Sequence, residues 1–286
     1  MISIIVCSRG NDIPKHLKQN ISETIGCEFE LVIINNSENS YSIFQAYNEG
    51  VQRSHGDLLC FMHDDILYKS SNWGKVIENV FQDGTIGLVG FAGSHFMSSA
   101  PFYWTQSPFI SEHNLTNDRG VIIECFQDYY FNEAGIADLV VVDGFCFFVR
   151  SSLFDSIRFD DITYSGFHAY DVDICMQVQD LGYRVCACNK VLIEHCWSES
   201  ASATKKGYEL IDHNLSLFVS KFKEYLPIHK GVEGVPESVW ERLNGFFLSD
   251  YEARQVRKSK SYRLGRAVLS PFKRLRAFLF KSRSLK

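Results

Sequence analysis

An imidazole and two carboxylates stand side by side at His63-Asp64-Asp65, directly after the apolar run Leu58 to Met62. Adjacent carboxylates repel, which disfavours ionising both unless a cation or strong donors lie between them. The end of an apolar strand is also where open α/β sheets bind their ligands. Together these point to a divalent metal and a diphosphate. Three other stations carry groups of the same kind. Asp143-Gly144 interrupts two apolar runs, Ala137 to Val142 and Phe145 to Arg150. Asp143 is either a turn former or points into a cleft, and the glycine lets a ligand or backbone come close. Asp171 and Asp173 open a helical pattern that continues through Ile174, Val178 and Leu181 and closes at Gly182. Asp171 reads as a helix cap or as a catalytic carboxylate, and the helix N-terminus is expected to keep it ionised. His195 comes after the short strand Val191 to Glu194 and is either a structural histidine or a ligand.

The elements that must position these groups are readable in order. Ile2 to Cys7 is a continuous β-branched run, as a central strand covered on both faces requires. It ends in Ser8-Arg9-Gly10-Asn11, a polar loop with donors to offer. A helix is expected from Pro14 to Thr24, a strand from Phe29 to Ile34 ending in Asn35-Asn36-Ser37, a helix from Ser42 to Ser54, then the strand Leu58 to Met62. Strand–helix–strand–helix–strand is the signature of a doubly wound half that binds a mononucleotide. No GxGxxG or Walker loop is present, which argues against a dinucleotide enzyme or a kinase-type ATPase. A helix from Trp73 to Gln82 and a strand from Gly87 to Phe91 come next. Ser94 to Asn132 reads as long, aromatic and irregular, with Trp104 or Tyr103 available to stack on a sugar face or simply to pack. Arg184 to Cys188 and Val191 to Glu194 are the last strands.

Composition sets the outer limits. A chain of 286 residues that is 45% hydrophobic and 14% aromatic has ample material for a core. No apolar run reaches the roughly 18 residues a membrane span needs. The start, Met1-Ile2-Ser3-Ile4-Ile5-Val6, reads as a strand rather than a signal peptide. The nine cysteines are scattered and mostly within apolar runs, which suits buried reduced thiols of a cytoplasmic protein better than disulfides or a zinc cluster. The net charge of −5 hides a division. Twelve of the 29 Lys/Arg and none of the 34 Asp/Glu lie from Arg254 onward, so the preceding body carries 17 basic and 34 acidic residues. Within Tyr262 to Lys286, Leu264, Val268, Phe272, Leu275 and Leu279 keep helical spacing among Arg and Lys. A basic amphipathic tail of this kind is the pattern of anionic membrane surfaces; nucleic acid fits less well with an acidic body that has no nucleic-acid motif.

The motifs Ala46-Tyr47-Asn48-Glu49-Gly50, Phe61 to Ile66, Val142-Asp143-Gly144 and Phe167 to Asp173, with His195 after them, resemble family 2-type glycosyltransferases of the GT-A fold. The similarity is greatest to bacterial members with His-Asp-Asp in place of Asp-x-Asp, and it covers roughly residues 1 to 200. It implies an α/β fold, a Rossmann-like mixed sheet flanked by helices. A nucleotide-sugar-binding half is expected over 1–92 and an acceptor and catalytic half over 93–200. Beyond these are expected a helical extension over 201–253 and the basic tail over 254–286. The resemblance assigns Ser8, Arg9 and Asn35 to the base and ribose, Asn48 to the diphosphate side, and His63 and Asp64 to the Asp-x-Asp role. Asp65 and His195 become ligands of Mn²⁺ or Mg²⁺. Trp104, Asp143, Gly144 and His168 border the sugar and acceptor, and Asp171 is the catalytic base. Asn35-Asn36 depart from the acidic residues of many relatives, and His63 from the first Asp. The implied activity is metal-dependent, inverting transfer from a nucleotide-diphosphate sugar to a hydroxyl of a glycan or lipid-linked acceptor, at the inner face of the cell membrane, in surface polysaccharide synthesis. A non-catalytic nucleotide-sugar-binding protein is the alternative.

Overall fold

The computed structural model describes residues 1–197, 205–259 and 261. The chain begins as strand and helix in alternation: β1 (Ile2–Ser8), α1 (Lys15–Thr24), β2 (Phe29–Asn35), α2 (Ile43–Arg53) and β3 (Leu58–Met62). A short β4 (Ile66–Tyr68) and α3 (Trp73–Val80) lead into β5 (Ile86–Gly90). Next come β6 (Ala92–Ser94), β7 (Phe96–Met97), β8 (Ile110–Asp118), β9 (Val121–Gln127), β10 (Ile136–Leu139), β11 (Val141–Val142) and β12 (Cys146–Arg150). The described chain closes with α4 (Tyr170–Asp180), β13 (Arg184–Cys188), β14 (Ile193–Trp197), α5 (Lys205–Lys221), β15 (Ile228–His229) and α6 (Glu237–Lys258).

A mixed seven-stranded sheet in the order β10-β13-β5-β12-β3-β1-β2 forms the body. β1 runs parallel to both β2 and β3, whereas β12 is antiparallel to β3. Alternation of side chains sorts each strand between two cores. Ile5, Leu59 and Phe61 join the cluster under α2 and α4, while Ile4, Val6, Cys60 and Met62 join the one under α1 and α3. This is why these strands read as unbroken apolar runs: both faces are covered. Helix α2 starts at a Ser42–Gln45 capping box, with Gln45 N–H donating to Ser42 Oγ and Ser42 N–H to Gln45 Oε1.

The second sheet corrects the expectation of an irregular stretch from Ser94 to Asn132. That segment takes in the last residue of β6, then β7 and the β8–β9 hairpin, and β11-β6-β8-β14-β4 form a sheet of their own, with β9 paired to β8. The strand character was masked because β8, Ile-Ser-Glu-His-Asn-Leu-Thr-Asn-Asp, is mostly polar and β9 is largely exposed. The apolar run from 137 to 142 also divides, β10 joining the first sheet and β11 the second.

Helices α5 and α6 cover the α4 side, and Trp240 and Phe247 of α6 are buried against Phe96, Phe102 and Phe109. The boundary read between Ala253 and Arg254 falls inside α6, and the amphipathic pattern of Tyr262 to Lys286 lies outside the described residues. Among the described residues no helix is long and apolar enough to cross a membrane. All nine cysteines are free thiols.

Gly50 marks where α2 comes closest to β1: a methyl group there would overlap the Ile5 side chain. Since both partners are fixed in the core, Gly50→Ala is expected to lower unfolding stability by about 1–3 kcal/mol despite better helix propensity. Denaturant unfolding checks this; a variant as stable as the parent would show that α2 can shift away from the sheet.

Candidate active site

β3 ends at Met62, and the His63-Asp64-Asp65 segment beyond it is held in place from three directions. His63 N–H donates to Phe145 O at 2.9 Å, continuing the pairing of β3 with β12. Asp65 O accepts from Cys196 N–H at 2.8 Å, and β4 pairs antiparallel with β14 so that Ile66 faces His195. His195 therefore lies inside β14, one strand-step from Asp65, and not at the end of a Val191–Glu194 strand. Its ring stacks on Phe145 at 5.1 Å between centroids. The third direction is α4, whose first turn brings Tyr170 and Asp171 onto the Asp143-Gly144 turn.

His63, Asp65 and His195 converge. Asp65 Oδ1 lies 3.4 Å from His195 Nε2 and 3.8 Å from His63 Nδ1, and one donor atom from each residue lies within 4.8 Å of the others. Burial works to lower the pKa of His195, but the Asp65 carboxylate outweighs it and raises it. His63, which shares the site, moves the other way, through burial and then the neighbouring charge of His195. Asp65 Oδ1 is buried and makes no hydrogen bond of good geometry. An orphaned carboxylate oxygen is costly unless something else satisfies it, and two imidazoles with one carboxylate form a donor set suited to a divalent transition-metal ion, which favours Mn²⁺ over Mg²⁺. The residues fit a metal. His63, expected with Asp64 in the nucleotide-sugar-binding role, thus also groups with the metal-type ligands Asp65 and His195.

The trio opens into a cleft of about 420 Å³ also lined by Arg9, Asp64, Asp143, Gly144, His168 and Asp171. A second chamber of about 470 Å³ adjoins it at Cys7, Arg9, Ile43, Phe167 and His168, and continues past Ser8 and Asn36. Asp143 does both things its sequence allowed: Oδ1 accepts from Phe145 N–H at 2.9 Å, closing the turn, while the residue lines the cleft. Ser8 Oγ donates toward Asp64 Oδ2 at 3.4 Å, tying the β1 loop to the β3 end.

Three expected site residues stand elsewhere. Asn48 faces away from the cleft: its amide donates to Phe159 O at 2.8 Å and accepts from Phe159 N–H at 3.1 Å, a clamp between α2 and the segment before α4. Asn35 is exposed and bonded to Asn11, and it is the next residue, Asn36, that reaches the second chamber. Trp104 sits in a short helical turn, packed on both hydrophobic clusters, and does not line the cleft.

Asp171 corrects the expectation of a carboxylate kept ionised by its helix. Its Oδ2 accepts from Gly144 N–H at 3.1 Å and Oδ1 from Val172 N–H at 2.9 Å. Burial among Tyr47, Tyr170 and the β11–β12 turn, and after it the charge of Asp143, nevertheless pushes its pKa up to about 7. The helix dipole is a partial charge, and here desolvation and a full negative neighbour exceed it. The segment leading into α4 is held from outside. Gly166 and Ala169 both take left-handed backbone, φ 75° and 74°. Asn214 of α5, fully buried, donates to Ser165 O and His168 O, each at 2.9 Å. Lys221 pairs with Asp173 and Asp160 at 2.7 Å. Burial lowers the pKa of His168 to about 4, so it faces both chambers as a neutral ring.

Sequence reading missed Tyr47, Phe167 and Tyr170 as lining residues. Tyr170 carries no local signal, because its role depends on meeting His63, 107 residues away.

Residues 3–220 match the profile of a glycosyltransferase-like family, and the chain belongs to that family. Over 156 residues it is 28% identical to the streptomycin biosynthesis protein StrF of Streptomyces griseus, covering 51% of this chain and 50% of StrF. It thus spans about half the length of that curated relative. Among solved structures, the mannosyltransferase PcManGT from Pyrobaculum calidifontis, in complex with GDP-Man and Mn²⁺, aligns over 96% of this chain and 79% of its own, with TM-score 0.51 and 13% identity. S. aureus TarS 1-349, in complex with UDP-GlcNAc, aligns over 86% of this chain and 71% of its own, with TM-score 0.49 and 12% identity. The fold is GT-A, shared with the mannosyltransferase.

The raised pKa has a consequence for stability. Unfolding returns the Asp171 carboxyl to about 4, so between there and about 7 the native state holds a proton that the unfolded chain gives up. Raising pH across that window therefore costs stability. Asp171→Asn, which keeps an oxygen to accept from Gly144 N–H, is expected to melt higher than the parent at about pH 8, by a few degrees, and level with it at about pH 4. Melting curves that coincide at both pH values would contradict the shift.

Proposed function

We propose that this protein transfers a glycosyl group from a nucleotide-diphosphate sugar to an acceptor hydroxyl, with inversion at the anomeric carbon. The observation that carries the proposal is that one cleft holds both the His63–Asp65–His195 trio and the Asp171 carboxyl. Family membership and the GT-A fold support it. The nucleotide belongs in the chamber lined by Ser8, Arg9 and Asn36, and the diphosphate at its junction with the cleft, where Arg9 lines both.

His63, Asp65 and His195 would hold the divalent ion; when bound, it supplies positive charge to the departing diphosphate. That PcManGT is described with GDP-Man and Mn²⁺ supports Mn²⁺ as the first ion to try. The acceptor oxygen forms its bond to the anomeric carbon as the carbon–oxygen bond to the diphosphate breaks. Asp171 takes the acceptor's proton. A carboxyl near pH 7 is a stronger base than an ordinary aspartate and still partly unprotonated at neutral pH, which suits this task. Gly144 N–H on Oδ2 and Val172 N–H on Oδ1 together fix the carboxyl's orientation in the cleft.

Transfer assayed across nucleotide-sugars with Mn²⁺ is expected to show a rate rising with pH through about 7, as Asp171 loses its proton. Asp171→Asn is expected to lose about 10²- to 10⁴-fold in kcat with donor binding retained. Donor binding with no turnover by the parent protein would favour a binding protein instead; near-parental turnover by the variant would remove Asp171 from the mechanism.

The acceptor we place on a glycan or a lipid-linked carrier at an anionic membrane face, supported by the concentration of twelve basic residues after Ala253. Since α6 runs to Lys258, the test is removal of residues after Ser259. Co-sedimentation with anionic vesicles is expected to vanish on truncation, at about 1 kcal/mol per basic residue near the surface. Equal sedimentation by the shortened chain would contradict the placement.

A further inference from the structure

Tyr170 is buried at 4% exposure, between the metal-type trio and Asp171. Its hydroxyl makes two contacts: 3.0 Å to Gly144 O and 2.9 Å to His63 Nε2. A carbonyl oxygen only accepts, and a tyrosine hydroxyl has one proton to give. The proton therefore goes to Gly144 O, and the tyrosine oxygen accepts from His63 Nε2–H. A neutral imidazole protonated at Nε2 has its lone pair at Nδ1, and Nδ1 is the atom that faces Asp65. We propose that Tyr170 is a positioning residue that fixes the tautomer and ring orientation of His63, presenting Nδ1 as a ligand for the divalent ion. This rests on the reading of His63, Asp65 and His195 as a metal site.

The same hydroxyl joins the metal-type ligands to the proposed base. The Gly144 carbonyl is bonded by Tyr170, and the Gly144 N–H by the adjacent Asp171. Both contacts come from the first turn of α4, so His63, the Gly144 peptide and Asp171 are registered to one rigid element. Gly144 has no alternative here, because a Cβ would overlap the Tyr170 hydroxyl.

Tyr170→Phe removes one oxygen and keeps the ring contacts with Phe44, Tyr47 and Phe147, so the variant is expected to fold. Mn²⁺ is titrated calorimetrically into the parent, Tyr170→Phe and Asp65→Asn proteins without donor. The His63 tautomer is read in each from ¹⁵N imidazole shifts in the metal-free state. The parent is expected to bind Mn²⁺ with His63 protonated at Nε2, and Tyr170→Phe to bind about 10- to 100-fold more weakly, with a mixed tautomer. Parent protein that binds Mn²⁺, with Tyr170→Phe binding equally and holding the same tautomer, would overturn the inference while leaving the metal site intact. Parent protein that binds no Mn²⁺, or Asp65→Asn that binds as well as the parent, would overturn the metal site and the inference with it.

Discussion

The contact of helix α4 with the Gly144 peptide is the constraint on which the site depends. The β11–β12 turn passes from one sheet to the other at Asp143-Gly144, and α4 grips that crossing on both sides, through Tyr170 on the carbonyl and Asp171 on the N–H. Without it, the end of β3 would still carry His63 and Asp65, but nothing would hold the Asp171 carboxyl over the same cleft. The grip is secured from behind by α5, whose Asn214 and Lys221 fix the segment entering α4. A C-terminal helix with no residue in the cleft thereby determines where the proposed base stands.

The site includes several features that a stability-optimised fold avoids. Asp65 Oδ1 and the Tyr47 hydroxyl are buried without hydrogen-bond partners, and Ala169 takes a left-handed conformation that β-carbon sterics disfavour. Asp171 is desolvated beside Asp143. Each of these costs free energy in the absence of ligand, and each lies at or beside the cleft. By contrast, buried Ser3 shows the ordinary solution: its hydroxyl donates to Glu30 and accepts from Gly56 N–H.

The first half of the fold was legible because its strands are covered on both faces, α1 opens after Pro14 and α2 at a Ser42–Gln45 capping box, so β1 to β3 and α1 to α2 appear as apolar runs and periodic stretches. The β8–β9 hairpin was not legible, since it forms a half-exposed sheet whose polar strand resembles a loop. In the site, His63, Asp65, Asp143, Gly144, His168, Asp171 and His195 meet in one cleft, and all but Gly144 are polar residues set among apolar neighbours. Asn48 was misplaced because its amide serves the Phe159 backbone, a partner 111 residues away. The charge state expected for Asp171 failed for the same kind of reason: a helix N-terminus can be seen in sequence, whereas burial and the approach of Asp143 are tertiary.

The central claim is that side chains from β3 and β14 converge on one divalent ion beside the Asp171 carboxyl. Anomalous diffraction from crystals soaked in Mn²⁺ with a nucleoside diphosphate tests it most directly. The expected result is a manganese peak among His63, Asp65 and His195, with diphosphate oxygens on its cleft side and the nucleoside toward Asn36. A manganese peak bound elsewhere on the chain, with the trio empty and the nucleotide outside the cleft, would contradict it.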